Sequence, residues 1–434
     1  MNYKRALVLC GGGARGGYHI GIWRALKEIN YYPDIITGTS VGALNGALFT
    51  LKEDDLAVEI WENMSMDTVF EAKENKNINA INSVNEFILS LGELGGIDPK
   101  PLKKLVAKLA DEKKFREESD IEFGLVTTAL NPIRKVEKYI DEMEEGKIVD
   151  YILASSACFP IMQKYQIGDT EYVDGGYSDN IPFELALKRG AKELVIVDMP
   201  GMFKLKKIED INAKVHYIYP NQDLGNFLLF NKETSRKNMK LGYLDTMKVF
   251  DMLEGQYYTF EKGAHIEADK YNEKCKSVYR KIFTNLPSIG TWEKIATDKL
   301  LNYIKNYNKR IFEEKSNVLD ILEIAAQEYD IDYTKIYSFD ELIRLILEKY
   351  DKSVESEQYK EILSMSKIKE SIGSLEELKK LIKSYDKGNI IAYLVYLLTL
   401  EEITLVQKRQ ILAITTVMPN YVCSAIMIAG YKNK

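Results

Sequence analysis

The 434-residue chain carries 59 Lys plus Arg against 65 Asp plus Glu, a formal net charge of -6, so it offers no basic field to a nucleic-acid backbone and that class of partner is excluded. With 46% hydrophobic and 29% charged residues it has the composition of a folded chain rather than a disordered one. Cys10, Cys158, Cys275 and Cys423 form no C-x-x-C pair and the start shows no secretory apolar region, which leads to the expectation of a reducing, cytoplasmic setting.

In chain order, residues 5–10 read as a strand ending in glycines, and residues 17–30 as a helix with Ile22, Leu26 and Ile29 on one stripe. A second strand at 35–37 feeds a helix over 41–51. Further strands are expected at 123–128, 194–198 and 215–219, with a helix over 182–189 between the first two of these and another over 235–250. This alternation predicts an α/β unit, a mostly parallel sheet flanked by helices. After residue 270 the only glycines and prolines are Gly290, Gly373, Gly388, Gly430, Pro287 and Pro419, so a mainly α-helical region should follow. Its clearest helices are 292–309, 318–327, 339–350, 375–385 and 390–400. The last is too short to cross a bilayer alone. The expected domains are 1–265 and 266–434.

Three short segments carry chemistry. Gly11-Gly12-Gly13-Ala14-Arg15-Gly16 leaves the first strand and runs into a helix, where converging N–H groups and the helix terminus stabilise an anion. That anion can be a nucleotide phosphate or the oxygen that develops on an attacked carbonyl. No G-x-x-x-x-G-K-[ST] is present, and no acidic partner ends the second strand, which favours acyl transfer. Gly38-Thr39-Ser40-Val41-Gly42 is a strand-to-helix elbow, with Ser40 the candidate nucleophile and glycines two positions away on both sides where a Cβ has little room. The Val41 N–H and an N–H of Gly12 or Gly13 can serve as oxyanion donors.

A serine hydroxyl needs a base. The three histidines, His19, His216 and His265, follow no recognisable acid in hydrolase order and read as structural or solvated. Asp174, followed by Gly175 and Gly176 at the end of a β-like run, is the stronger candidate, although an Asp-Gly turn alone gives the same pattern.

At these residues the chain resembles the patatin-like phospholipase family, whose pattern joins a G-G-G-x-R-G loop, a G-x-S-x-G elbow and a later D-G-[GA]. The resemblance covers roughly residues 4–260, and Ala154-Ser155-Ser156-Ala157-Cys158-Phe159-Pro160 also resembles a family segment. It implies Ser40 as nucleophile and Asp174 as its activating partner. Gly11, Gly12, Gly13 and Val41 would shape the oxyanion hole, with Ala14, Arg15, Gly16, Gly38, Gly42, Gly175 and Gly176 in support. It further implies a serine acyl hydrolase acting on phospholipids or lysophospholipids through an acyl-enzyme, with no cofactor and no metal. The alternatives are an inactive lipid- or protein-binding scaffold, or a thioesterase or small-ester hydrolase with the same pair. A transient, peripheral contact with a membrane surface is expected. Its candidates are the lysine-bearing segment 199–207 and the apolar cluster 226–230, the last read more readily as a satellite core, while helices between Leu56 and Lys108, including 84–91, are expected to contribute to an acyl cleft or lid.

Overall fold

The computed structural model describes residues 3–70, 96–109, 111–200, 212–283, 290–307, 317–365, 380 and 382–433; segment 84–91, most of 199–207 and most of 375–385 lie outside them. The fold divides into two compact units, Met1–Asp251 and Met252–Lys434. Residues 252–265, grouped with the first part in the sequence reading, pack with the second unit.

The first unit is built on an eight-stranded sheet of β1 (Lys4–Leu9), β2 (Ile35–Thr39), β3 (Glu122–Ala129), β4 (Arg134–Tyr139), β5 (Tyr165–Ile167), β6 (Thr170–Asp174), β7 (Ala191–Val197) and β8 (Lys214–Ile218). The order is β5-β6-β3-β2-β1-β7-β8, with β4 also paired to β3. The run β3-β2-β1-β7-β8 is parallel, whereas β4, β5 and β6 join by antiparallel pairing. Residues 6–9 of β1 and 194–197 of β7 are fully buried, as central strands covered on both faces should be. From β1 the chain moves outward to β2 and β3 and later returns on the other side of β1 as β7. The carboxyl end of β1 is therefore a point where the connections diverge, the place where open α/β sheets bind ligands.

Helices α1 (Gly17–Glu28) and α2 (Val41–Thr50) follow β1 and β2. Against α1 lies the helix Lys232–Val249, and two glycines let the backbones touch: a Cβ on Gly21 would sit 1.9 Å from the Met239 carbonyl oxygen, and one on Gly242 would sit 2.0 Å from that of Tyr18. The Tyr18 hydroxyl donates to Asp245 across the same crossing, at 2.7 Å. Gly242→Ala should cost about 3 kcal/mol by forcing these helices apart. Urea unfolding of the variant beside wild type measures the loss.

The second unit is helical apart from a two-stranded parallel ladder of β9 (Thr259–Phe260) and β10 (Ile336–Tyr337). Helix Pro419–Lys432 is buried from Val422 through Gly430. Helix Lys387–Thr399 has Ile391, Leu394 and Leu398 fully buried in the same core, so the apolar stretch at 390–400 is core. No described helix is long and apolar enough to cross a membrane.

Candidate active site

The edge of β3 explains how two segments far apart in sequence meet. β4 occupies one edge of β3 from Gly124 to Ala129. The other edge is shared: β2 pairs with it as far as Thr39 opposite Val126, and β6 takes over with Asp174 opposite Thr127. The last residue of β2 and the last of β6 thus become neighbours. Gly175 fits only because it lacks a side chain, since a Cβ there would lie 2.1 Å from the Val126 carbonyl oxygen and 3.0 Å from Thr39 Cγ2. Two further bonds hold the junction, from Thr37 Oγ1 to the Pro182 carbonyl and from Thr39 Oγ1 to the Asp179 carbonyl, both 2.9 Å.

Ser40 follows Thr39 at φ 55°, ψ -124°, a left-handed conformation that a residue with a Cβ adopts only under constraint. A Cβ on Gly38 would lie 2.3 Å from the Gly42 carbonyl oxygen, and one on Gly42 would lie 2.2 Å from that of Leu9. The elbow closes on itself and on the end of β1. Its amide is held too: Ser40 N–H donates to Ser155 Oγ at 3.0 Å, and the Ser155 hydroxyl donates to the Val126 carbonyl at 2.7 Å. The sequence reading placed Ser155 in the family-like segment 154–160 but gave it no role, because nothing local shows which backbone amide its hydroxyl accepts. Ser155→Ala leaves the Ser40 N–H buried without an acceptor and should destabilise the fold by about 1–3 kcal/mol. If the elbow matters to turnover, kcat should fall in this variant while KM stays, which steady-state kinetics separates.

Asp174 is 1% exposed. One carboxylate oxygen accepts the Gly176 N–H at 2.8 Å, and the carboxylate borders the same cavity as Ser40, whose hydroxyl favours its ionised form. Burial pushes the acid up to about 6, and the Ser40 and Gly176 bonds hold it from rising further. An aspartate so placed is ionised at neutral pH yet far more basic than an exposed one.

The glycine loop lies opposite. Gly11 N–H donates to the Asn180 carbonyl at 3.3 Å, so its amide is engaged. Its missing side chain makes room instead, since a Cβ would lie 2.5 Å from Asn180 Oδ1 and 3.2 Å from Ser40 Cβ. Among the described residues the N–H groups of Gly12 and Gly13 meet no acceptor, and Val41 opens α2, where an N–H has none within the helix. These three amides are available to an anion beside Ser40. Gly13 has φ 56°, and a Cβ there would lie 2.3 Å from the Phe227 carbonyl oxygen. Ala14 N–H donates to that same oxygen at 2.8 Å, and Arg15 Nε donates to the Gly225 carbonyl at 2.8 Å. Arg15 thus ties segment 225–230 to the loop. Gly16 leaves space for Trp61, whose Cζ2 would lie 2.5 Å from a Cβ.

These groups border a cavity of about 100 Å3 that contains Ser40 and Asp174 and is otherwise walled mainly by apolar side chains, among them Leu44, Trp61, Met64 and Phe70. Phe227, Leu228 and Phe230 also line it, so the 226–230 cluster is cavity wall rather than a satellite core. Cys158 borders the cavity, but burial and the Asp174 charge push its thiol well up, which keeps it protonated and unreactive. None of the histidines is there: burial holds His19 down to about 3, His216 pairs with Glu193 at 2.9 Å, and His265 lies in the second unit. Among the described residues no group of three or more His, Cys, Asp or Glu is placed to hold a metal.

Residues 7–187 match the family model described as patatin-like phospholipase. Patatin-like phospholipase domain-containing protein 6 of Homo sapiens is 28% identical over 199 residues, 45% of this chain and 13% of that protein. Lysophospholipase NTE1 of Debaryomyces hansenii is 26% identical over 201 residues, 46% of this chain and 12% of that protein. The matched region is therefore a small part of those much longer relatives. Among solved structures, VipD from Legionella pneumophila aligns over 100% of this chain and 93% of its own, at 14% identity and a TM-score of 0.36. The likeness to patatin-like phospholipases thus lies in residues 7–187, within the first unit.

Proposed function

We propose that the first unit hydrolyses fatty acyl esters of phospholipids or lysophospholipids, with Ser40 as nucleophile and Asp174 as the general base. The observation that carries this reading is that Ser40 and the buried Asp174 carboxylate, its pKa raised to about 6, line one apolar cavity together with free amides. The match of residues 7–187 to the patatin-like phospholipase model supports the lipid ester class.

Asp174 takes the Ser40 proton as Oγ bonds to the ester carbonyl carbon, and the carbonyl electron pair moves onto its oxygen. The N–H groups of Gly12, Gly13 and Val41 receive that charge, each donor being worth about 3 kcal/mol at the transition state. The carbonyl re-forms, the C–O bond to the alcohol breaks, and Asp174 returns its proton to the leaving oxygen. Water, deprotonated by the same carboxylate, then attacks the acyl-Ser40 carbonyl, the C–Oγ bond breaks with the proton passing from Asp174 to Ser40 Oγ, and the fatty acid is released. Leu229, 46% exposed beside the cavity wall, is a point at which the mouth meets a lipid surface.

The test is fatty acid release from phosphatidylcholine, lysophosphatidylcholine, triacylglycerol and an acyl thioester by wild type and Ser40→Ala. Release from phospholipid or lysophospholipid, falling at least about a thousandfold in Ser40→Ala, is expected. Equal release by both proteins overturns the reading, and a clear preference for the thioester replaces the substrate class.

A further inference from the structure

A second apolar chamber lies behind the first. Its volume is about 60 Å3, and it shares Leu44, Trp61, Met64 and Leu102 with the cavity that contains Ser40. The far wall includes Ala47, Leu51, Val106 and Ile152. We infer that this chamber receives the distal end of the substrate's acyl chain and so sets the chain length the protein prefers, an inference that rests on the acyl-ester reading above.

The geometry of α2 supplies the path. Ser40 caps this helix, and Leu44, Ala47 and Leu51 follow it at four, seven and eleven residues, one face of a helix. At the rise of an α-helix that face extends about 16 Å from the nucleophile, comparable to a long fatty acyl chain. A chain whose carbonyl sits at Ser40 can therefore lie along α2, pass the shared wall and end between Leu51 and Val106.

The chemistry of the chamber fits an unsubstituted hydrocarbon. Among its lining residues Asn45 alone has a polar side chain that is neither backbone nor indole, and it is occupied: its amide nitrogen donates to the Gly16 carbonyl at 3.0 Å, and its oxygen accepts Trp61 Nε1 at 2.8 Å. No group is left to recognise a head group. The same bond fixes the Trp61 ring, so the passage between chambers has one rigid side. Leu44 and Met64, which line both chambers with it, are flexible side chains able to yield to a methylene chain.

The experiment compares kcat/KM for p-nitrophenyl palmitate and p-nitrophenyl butyrate in wild type, Ala47→Phe, Val106→Phe and Leu105→Ala. The two filling variants should lower the palmitate to butyrate ratio about tenfold or more, as expected when burial of two or more methylenes is lost. Leu105→Ala, which enlarges the chamber, should shift preference from palmitate towards stearate. A ratio within about twofold of wild type in the filling variants, with stearate preference unmoved in Leu105→Ala, overturns the inference. Butyrate hydrolysis lost in Ser40→Ala confirms that the assay reads the proposed nucleophile. Butyrate hydrolysis that persists there sinks the acyl-ester mechanism itself, a result distinct from an unmoved ratio.

Discussion

Asp174→Asn is expected to lower kcat by about a thousandfold or more, the scale seen when the aspartate of a Ser-His-Asp triad loses its charge, while the protein stays folded. Asparagine keeps the size of the side chain and an oxygen for one of the two donors, but it takes no proton. In wild type, kcat/KM should fall as pH drops through about 6, because the carboxylate protonates there. An ordinary exposed aspartate would place that limb near pH 4. The stability effect has the opposite sign. Since the folded-state value of about 6 lies above the ordinary aspartate value of 3.8, the native state binds a proton more readily than the unfolded chain between those pH values, and lowering the pH through that window stabilises the fold. Above pH 6 the buried charge costs about 3 kcal/mol. Asp174→Asn removes that cost but mismatches one of the two donors, so a net gain of about 1–2 kcal/mol is expected at pH 7.5, vanishing by pH 4. Urea melts at the two pH values test this beside the rate measurements.

Gly42→Ala carries the second large effect. The added Cβ would lie 2.2 Å from the Leu9 carbonyl oxygen and 2.7 Å from that of Cys10. Both are backbone atoms of the central strand and its exit, so neither can rotate away. Either the elbow lifts from β1, separating Ser40 from the glycine loop, or the sheet opens. A loss of about 3–4 kcal/mol and near-complete loss of turnover are expected together. Gly46→Ala is the comparison: its Cβ would meet the Phe123 ring at 2.9 Å and Ile36 Cγ2 at 3.1 Å, side chains that have some freedom to shift. It should cost less and leave measurable activity.

The parts of the molecule that were legible in its sequence are those where local rules and tertiary structure agree. The strand, glycine turn and helix around residues 5–30 and 35–51 could be read because fully buried parallel strands are continuous apolar runs, and because the close approaches at Gly38 and Gly42 leave no alternative residue. The antiparallel strands β4, Arg134–Tyr139, and β5, Tyr165–Ile167, were not. β4 has the polar, half-exposed pattern of an edge strand, and β5 is three residues long, so neither has the signature of a core strand. The sharing of one β3 edge by β2 and β6, which brings Asp174 to Ser40, could not be foreseen either, because nothing in the short run ending at Asp174 names its partner strand. The cavity wall was invisible for a related reason: Leu44, Trp61 and Phe227 come from separate helices and loops, and no spacing links them. In the second unit, Pro419–Lys432 was not singled out because a helix buried on nearly every side shows no amphipathic stripe.

The central claim is that Ser40 is made reactive by the Asp174 carboxylate beside it. An alkyl fluorophosphonate, which captures an activated serine as a stable tetrahedral adduct, tests it through peptide mass mapping and the rate of labelling. The account predicts one adduct, on Ser40, formed about a hundredfold or more slowly in Asp174→Asn. Labelling at another residue, or an undiminished rate at Ser40 in Asp174→Asn, would contradict it.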